Sequence, residues 1–410
     1  MRNKFVIRFA LFSTIIVMMC ITAYVLFTNV FGGAPIEAEL SVNRVPQKDL
    51  FQTVFSYPSG EAVGKKERIT ISANGDIMFH TPQINAAYKD GSYSFDENFV
   101  KIKKYIENAD IALGNFESTT NGGTPSGYPI FNAPDEALTT LSQVGYDVLS
   151  TANNHCLDSG KSGIIRTIEK INENNMVNIG TYTDPGEHIY ITDVKGVKLA
   201  ILAYTYGLNG MDSLLTNNER EDMINLIRED KIQDDISRSK ELGADMTIVF
   251  IHWGNEYQLN PSWEQTQLAQ QMFDWGADII LGSHPHVVQK SELLSVDGEM
   301  KYVIYSMGNL ISNQRRETLG GISNSEYTED GVIVNITLEK DVIKNHTKIV
   351  SIKYIPTWVD RQVAEGGFKY EVLPVSNVEN ENVSTSIANK MRQSFSNTMT
   401  KMTSYRDFGD

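Results

Sequence analysis

Cysteine is almost missing from this 410-residue chain, which has two, Cys20 and Cys156. Cys20 lies in an apolar N-terminal run, so no disulfide within a folded domain is expected, and the count alone does not choose a compartment. Basic charge is also scarce: 36 Lys and Arg stand against 51 Asp and Glu, a net charge of -15. A nucleic-acid binder presents a basic face, so nucleic acid is not an expected partner. The Gly-x-Ser-x-Gly elbow of a serine hydrolase is absent. So is a Gly-x-x-x-x-Gly-Lys-Ser/Thr phosphate loop. Histidine is sparse too, with seven in all, which makes the places where it does occur informative. The hydrophobic fraction of 41% and charged fraction of 21% are ordinary for a globular chain and exclude disordered, collagen-like and disulfide-scaffold classes for most of it.

Only one long hydrophobic run occurs. Arg2, Lys4 and Arg8 precede an uncharged, mostly apolar stretch over 9–31. A bilayer-spanning helix needs about 20 such residues, whereas a signal-peptide core is shorter. Pro35 directly after Gly32-Gly33-Ala34 disfavours cleavage. The run is therefore read as an uncleaved transmembrane helix. Positive charge ahead of it keeps the N-terminus inside and puts everything after residue 31 outside the cell. The expected organisation is an anchor over 1–31, a stalk over 32–66, one large domain over 67–375 and a polar tail over 376–410.

From residue 68 the texture becomes α/β. Short apolar runs at 68–74, 109–114, 146–151, 198–205, 246–251, 278–282 and 302–307 have the length and Ile/Val/Leu content of buried strands. Between them lie helix candidates at 94–108, 134–144, 160–174, 223–242 and 261–275. The alternation predicts an α/β domain with a largely parallel central sheet. After residue 320 it stops, and 331–338 and 348–356 read as strands of a β-rich closing segment. One helix is expected in the tail, at 385–396.

The chemistry collects where strands end. The first ends in Gly75-Asp76, the second in Asn115-Phe116-Glu117, the third in Asn153-Asn154-His155 with Asp158 after it. The fifth ends in His252-Trp253-Gly254-Asn255-Glu256, the sixth in Ser283-His284-Pro285-His286, the seventh in Gly308-Asn309. Parallel strands would gather these clusters into one mouth at their carboxyl ends, where open α/β sheets bind ligands. In an extended segment, His284 and His286 point to one side, so both imidazoles reach one ion. Imidazole, carboxylate and amide oxygen together suit zinc, manganese or iron. Asp76 and Glu117 offer carboxylates, one of them able to bridge two ions, and Asn154 offers a carbonyl oxygen. One or two divalent ions held this way would activate water and clamp the reacting oxygens. Taken singly, each cluster has a plainer structural reading as a turn, a cap or core packing. Cys156 is read as packing rather than as a nucleophile. A carboxylate-pair glycosidase built on Glu117 and Glu256 would leave the histidines unexplained.

Taken together these motifs resemble the CapA family of bacterial capsule-synthesis proteins linked to poly-γ-glutamate, over about residues 68–320. That family is similar to calcineurin-like metallophosphatases, which implies a layered α/β sandwich and a two-metal site. On this resemblance Asp76, Glu117, Asn154, His155, His252, His284 and His286 are the metal-site residues. Asn154, His155, Asp158, His252 and Glu256 are the catalytic candidates, with Glu256 or Asp158 orienting a ligand or shuttling a proton. Tyr128, Trp253 and Tyr257 are expected to line the substrate cleft. The pattern departs at Met78, where a histidine is usual, and Glu117 stands where an Asp is expected. The resemblance implies a membrane-anchored surface protein that handles an anionic capsule polymer beside a capsule ligase and small membrane subunits. A non-catalytic polymer- or partner-binding module and a secreted metal-dependent phosphodiesterase are the two alternatives.

Overall fold

The computed structural model describes residues 65–402 apart from 377 and 379–382. The anchor and almost all of the stalk lie outside the described residues. Among the described residues no helix is long and apolar enough to cross a membrane.

The chain builds one sheet, leaves it for a second, and returns to the first. It begins with β1 (Lys66–Ile77), β2 (Ile111–Phe116), β3 (Val148–Ser150) and β4 (Val177–Ile179). It then lays down β5 (Tyr190–Val194), β6 (Val197–Thr205), β7 (Met246–His252), β8 (Ile279–Ser283), β9 (Ser291–Val296) and β10 (Glu299–Ile304). It comes back as β11 (Asn309–Ile311), β12 (Asp330–Asp341), β13 (His346–Ala364) and β14 (Gly367–Pro374). The first sheet has the order β14-β13-β12-β1-β2-β3-β4 with β11 also paired to β1, and the second has the order β9-β10-β8-β7-β6-β5.

All seven apolar runs are strands, but a single central sheet is not what they form. Three belong to the first sheet and four to the second. Each sheet is parallel in its middle, β1-β2-β3-β4 in one and β6-β7-β8-β10 in the other. Period-two alternation sorts the side chains. From β6, Val197, Leu199, Ile201 and Ala203 enter a core shared with Ile69 and Ile71 of β1 and Val332 and Val334 of β12, so the sheets pack face to face. Leu202 and Tyr204 point the other way, onto the helices Glu229–Glu241 and Trp263–Trp275. The outer face of the first sheet is covered by Phe95, Phe99 and the helix Asp135–Val144. The result is a layered sandwich, helix–sheet–sheet–helix.

Two expected helices are broken. The stretch 94–108 folds as two short helices, Asp96–Phe99 and Lys103–Glu107, though Phe95, Phe99, Ile102 and Ile106 are all buried as its periodicity requires. The long helix at 223–242 is instead Asn217–Met223 and Glu229–Glu241. Between them Ile224 and Leu226 are extended and bridge Thr181 and Thr205, a tertiary pairing that overrides helix propensity. The tail helix runs Thr385–Met399 with Ser384 as N-cap, and Met391 is buried under it.

Candidate metal centre

The parallel strands of both sheets end at one place. Close backbone approach makes this possible: a Cβ on Gly75 would lie 2.0 Å from the Gly308 carbonyl oxygen, and one on Gly282 would lie 2.1 Å from that of Tyr305. With no Cβ at 75, β1 runs against the strand containing Asn309, and Asp76 pairs in register with both Asn309 and Asn115. Asp76 is fully buried. Its Oδ1 accepts from Asn115 Nδ2 at 2.8 Å, and its Oδ2 lies 3.1 Å from His286 Nδ1.

Glu117 comes directly after β2 and is fully buried, yet neither carboxylate oxygen has a hydrogen-bond partner. Two groups of ligand atoms converge on it. Glu117, His284 and His286 form one, and Asp76, Glu117 and His252 the other, with the atoms in each within 4.8 Å of one another. His284 Nδ1 is likewise buried without a partner. Unsatisfied buried groups of this kind are costly. Burial, joined by the charges of Asp76 and Glu256, pushes the Glu117 carboxyl well above its usual range. A divalent cation relieves all of this at once, so the donor set fits one or two such ions, with Glu117 common to both groups. Burial also holds His252 and His284 neutral, the state in which imidazole ligates. For His286 burial acts in the same sense, but the hydrogen bond and charge of Asp76 outweigh it and raise the ring's basicity.

His252 ends β7 with both nitrogens engaged, Nδ1 at 2.9 Å from Ser283 Oγ and Nε2 at 2.7 Å from Asn154 Oδ1. Asn154 therefore borders the Asp76, Glu117 and His252 group. His284 and His286 do converge, with ring centroids 5.9 Å apart. They do not do so as an extended segment, because both have left-handed backbone, φ 98° and 57°. Non-glycine residues held there carry strain of the kind that clusters at functional sites.

His155 stands apart from both ligand groups. Its Nδ1 lies 2.8 Å from Asp158 Oδ2, which also accepts from the Phe131 N–H, and its ring meets Phe131 edge-on. This pairing suits a proton carrier. His80 is held neutral by burial, down to about 3, its Nδ1 accepts from the Asn313 N–H, and it belongs to neither ligand group. Cys156 is buried, and burial pushes its thiol up to about 12, as packing would leave it.

Among the cleft candidates, Tyr257 sits 6.1 Å from the His286 ring, and Glu256 and Tyr128 are exposed. Trp253 is a correction. It is buried in the outer core of the second sheet, with Nε1 donating to the Tyr305 carbonyl oxygen, and cannot touch a substrate in the cleft. An aromatic residue after a strand end points into the mouth or away from it according to strand phase, and here the phase turns it away. The residue found instead is Tyr206, one position past β6. Its ring lies 4.4 Å from His284 and stacks over His252 at 6.2 Å, and it is 46% exposed. Asn209 on the same loop accepts from Asn154 Nδ2. The fourth apolar run carries no His or carboxylate at its end, so only its parallel pairing with β7 signals that the loop after it reaches the mouth. Asn115 and Asn153 complete a relay behind the ligands: Asn153 Nδ2 donates to Asn115 Oδ1, and Asn115 to Asp76.

The family model of bacterial capsule synthesis proteins (PGA_cap) matches residues 70–314, which hold every candidate ligand. The chain belongs to this family. It is 30% identical over 263 residues to the capsule biosynthesis protein CapA of Bacillus anthracis, and 29% identical over 260 residues to the PGA biosynthesis protein CapA of Bacillus subtilis (strain 168). These matches cover 61% and 60% of this chain and 61% and 64% of the two relatives, less than two thirds of either. Among solved structures, the calcineurin-like phosphoesterase YfkN of Bacillus subtilis is 16% identical with a TM-score of 0.43, covering 82% of this chain and 99% of that one. The NAD nucleotidase NadN of Haemophilus influenzae is 13% identical with a TM-score of 0.45, covering 84% and 65%. The layered architecture rests on the strand pairing and not on these distant likenesses.

Proposed function

We propose that this member of the capsule-synthesis family is a metal-dependent hydrolase of the cell surface, acting on a phosphoester or amide bond of an anionic, poly-γ-glutamate-type polymer. The observation that carries the reading is Glu117, a buried carboxylate whose two oxygens have no hydrogen-bond partner and lie between two sets of converging ligand atoms. Glu117, His284 and His286 would hold one ion, and Asp76, Glu117 and His252, with Asn154 Oδ1 beside them, a second. Manganese, iron and zinc all suit these donors. A divalent ion there supplies Lewis acidity and a lowered pKa for water.

The rest is done by the chain's own groups. Asn115 holds Asp76, and Ser283 holds His252, so the ligands are oriented before anything binds. Asp158 fixes Nδ1 of His155, and Nε2, 3.5 Å from Asn209 Nδ2, would be the nitrogen that gives or takes a proton. Tyr206 and Tyr257 frame the opening, where the half-exposed Tyr206 ring offers a face to the substrate. The N-terminal run over 9–31 would anchor the domain outside the membrane, near a capsule ligase and its small membrane subunits. Met78, which has no hard donor to offer, favours the second reading, a module that grips polymer without turnover.

The test is the metal content of residues 34–410 after reconstitution with manganese, iron or zinc, beside Glu117→Gln and a His284→Ala, His286→Ala double variant. One or two ions per chain are expected, lost in both variants while circular dichroism is retained. Turnover of bis(p-nitrophenyl) phosphate or a γ-glutamyl anilide separates hydrolase from binding module. No bound metal under any of the three conditions overturns both the ligand assignment and the hydrolase.

A further inference from the structure

The helix Thr385–Met399 lies beyond the residues matched to the family, yet its C-terminal end reaches the loop that carries His284 and His286. Met402 is buried in the core between the two sheets, which fixes the chain just past the helix. From there Lys401 touches two segments around the site. Its Nζ donates to the Val288 carbonyl oxygen at 2.6 Å, two residues past His286. Its own carbonyl oxygen accepts from the Ser291 N–H at 3.1 Å. Its ammonium sits 5.2 Å from the centroid of the Tyr327 ring, close to the Asp330 carboxylate.

Each contact lies next to a site element. Val288 bridges Met307, and Gly308 bridges Gly331, one residue after Asp330. Asn309, between these, lies 3.1 Å from His286 Nδ1 through its Oδ1 and donates through Nδ2 to the Thr328 carbonyl oxygen. The segment 287–291 is thus held at both ends by one residue of the tail. The left-handed φ values of His284 and His286 mean that this loop does not keep its shape by backbone preference alone.

We propose that Lys401 is a positioning residue, through which the C-terminal helix fixes the His284–His286 loop in its ligand-presenting shape. The consequence for metal binding rests on the proposed function above, while the consequence for loop order does not. Partners that hydrogen-bond a ligand directly change metal affinity by about 10–100-fold, and Lys401, one step further out, belongs at the lower end of that range.

The test uses the folded protein with Lys401→Met and the conservative Lys401→Arg. Hydrogen exchange of the metal-free forms is read at 286–291 and 325–330, with Mn(II) affinity by calorimetry alongside. Lys401→Met is expected to exchange at least fivefold faster in both segments and to bind Mn(II) about tenfold more weakly, with Lys401→Arg restoring both. Unchanged exchange at 286–291 in a folded Lys401→Met overturns the proposal. If Lys401→Met does not fold, Lys401→Gln, which keeps one donor, is read in the same way. Absence of Mn(II) uptake by the unmutated protein would sink the metal reading alone, because the exchange data still decide the role of Lys401.

Discussion

Asp330 opens β12 at 3% exposure, and burial raises its carboxyl from the ordinary value near 3.8 to about 6, against the opposing hydrogen bonds of Asn397 and Ser394 and the charge of Lys401. A carboxyl whose folded pKa is raised stabilises the fold fully below its unfolded pKa, and the contribution is lost as pH rises through the folded value. Between about pH 4 and 6 the loss approaches 3 kcal/mol, at about 1.4 kcal/mol per unit. Asp330→Asn removes the titration while keeping an oxygen for Asn397 Nδ2. The stability difference between the two proteins, from urea midpoints at pH 4.5 and 7.5, should therefore swing by about 2–3 kcal/mol toward the variant at the higher pH. No swing would mean that burial does not hold the Asp330 carboxyl above its ordinary range. At this scale the sequence was readable where chemistry is rare. Four of the seven histidines sat at strand ends, and three of those four joined the converging ligand groups. It was unreadable where residue type says nothing of direction, so Trp253 turned into the core while Tyr206 turned to the mouth.

Gly75 decides how closely two elements meet. Asp76 N–H donates to the Gly308 carbonyl oxygen at 3.0 Å, and a Cβ at 75 would collide with that same oxygen at 2.0 Å and crowd the Met307 carbonyl carbon at 3.2 Å. Since both are backbone atoms, neither can swing away. Gly75→Ala should cost about 1–3 kcal/mol or more and move Asp76 away from Asn309 and His286. The expected result is a lower urea midpoint together with weakened metal uptake. An unchanged midpoint with full uptake would show that the strands have room for a methyl group between them. The strands were legible as elements because each apolar run has the right length and composition. Their division between two sheets was not. Parallel strands buried on both faces read alike in either sheet, and only the tertiary pairing of β6 with β7 and of β1 with β12 tells them apart. The same limit hid the break at Ile224–Leu226, where extended bridges to other strands outcompete a good helical pattern.

At the scale of the molecule, the residues that hold the chemistry and those that hold the fold are different sets. Every candidate ligand falls within the family-matched residues 70–314, so that segment reads as the functional unit. Yet β12 lies between β1 and β13, paired along β1 from Lys66↔Asp341 to Asn74↔Ile333. It brings Val332, Val334, Ile336 and Leu338 to the core between the sheets, and β13 adds Ile349, Ile352 and Tyr354. Burying seven such side chains is worth on the order of 10 kcal/mol, comparable to the whole stability of a domain, about 5–15 kcal/mol. A chain ending at residue 314 would also leave β1 as an open edge, with Ile69 and Ile71 unshielded. It should aggregate and show no cooperative thermal transition, although it keeps Asp76, Glu117, His252, His284 and His286. A monomeric, cooperatively melting 65–314 chain that still takes up metal would refute this, and would make the β-rich closing segment an appendage rather than half of the scaffold.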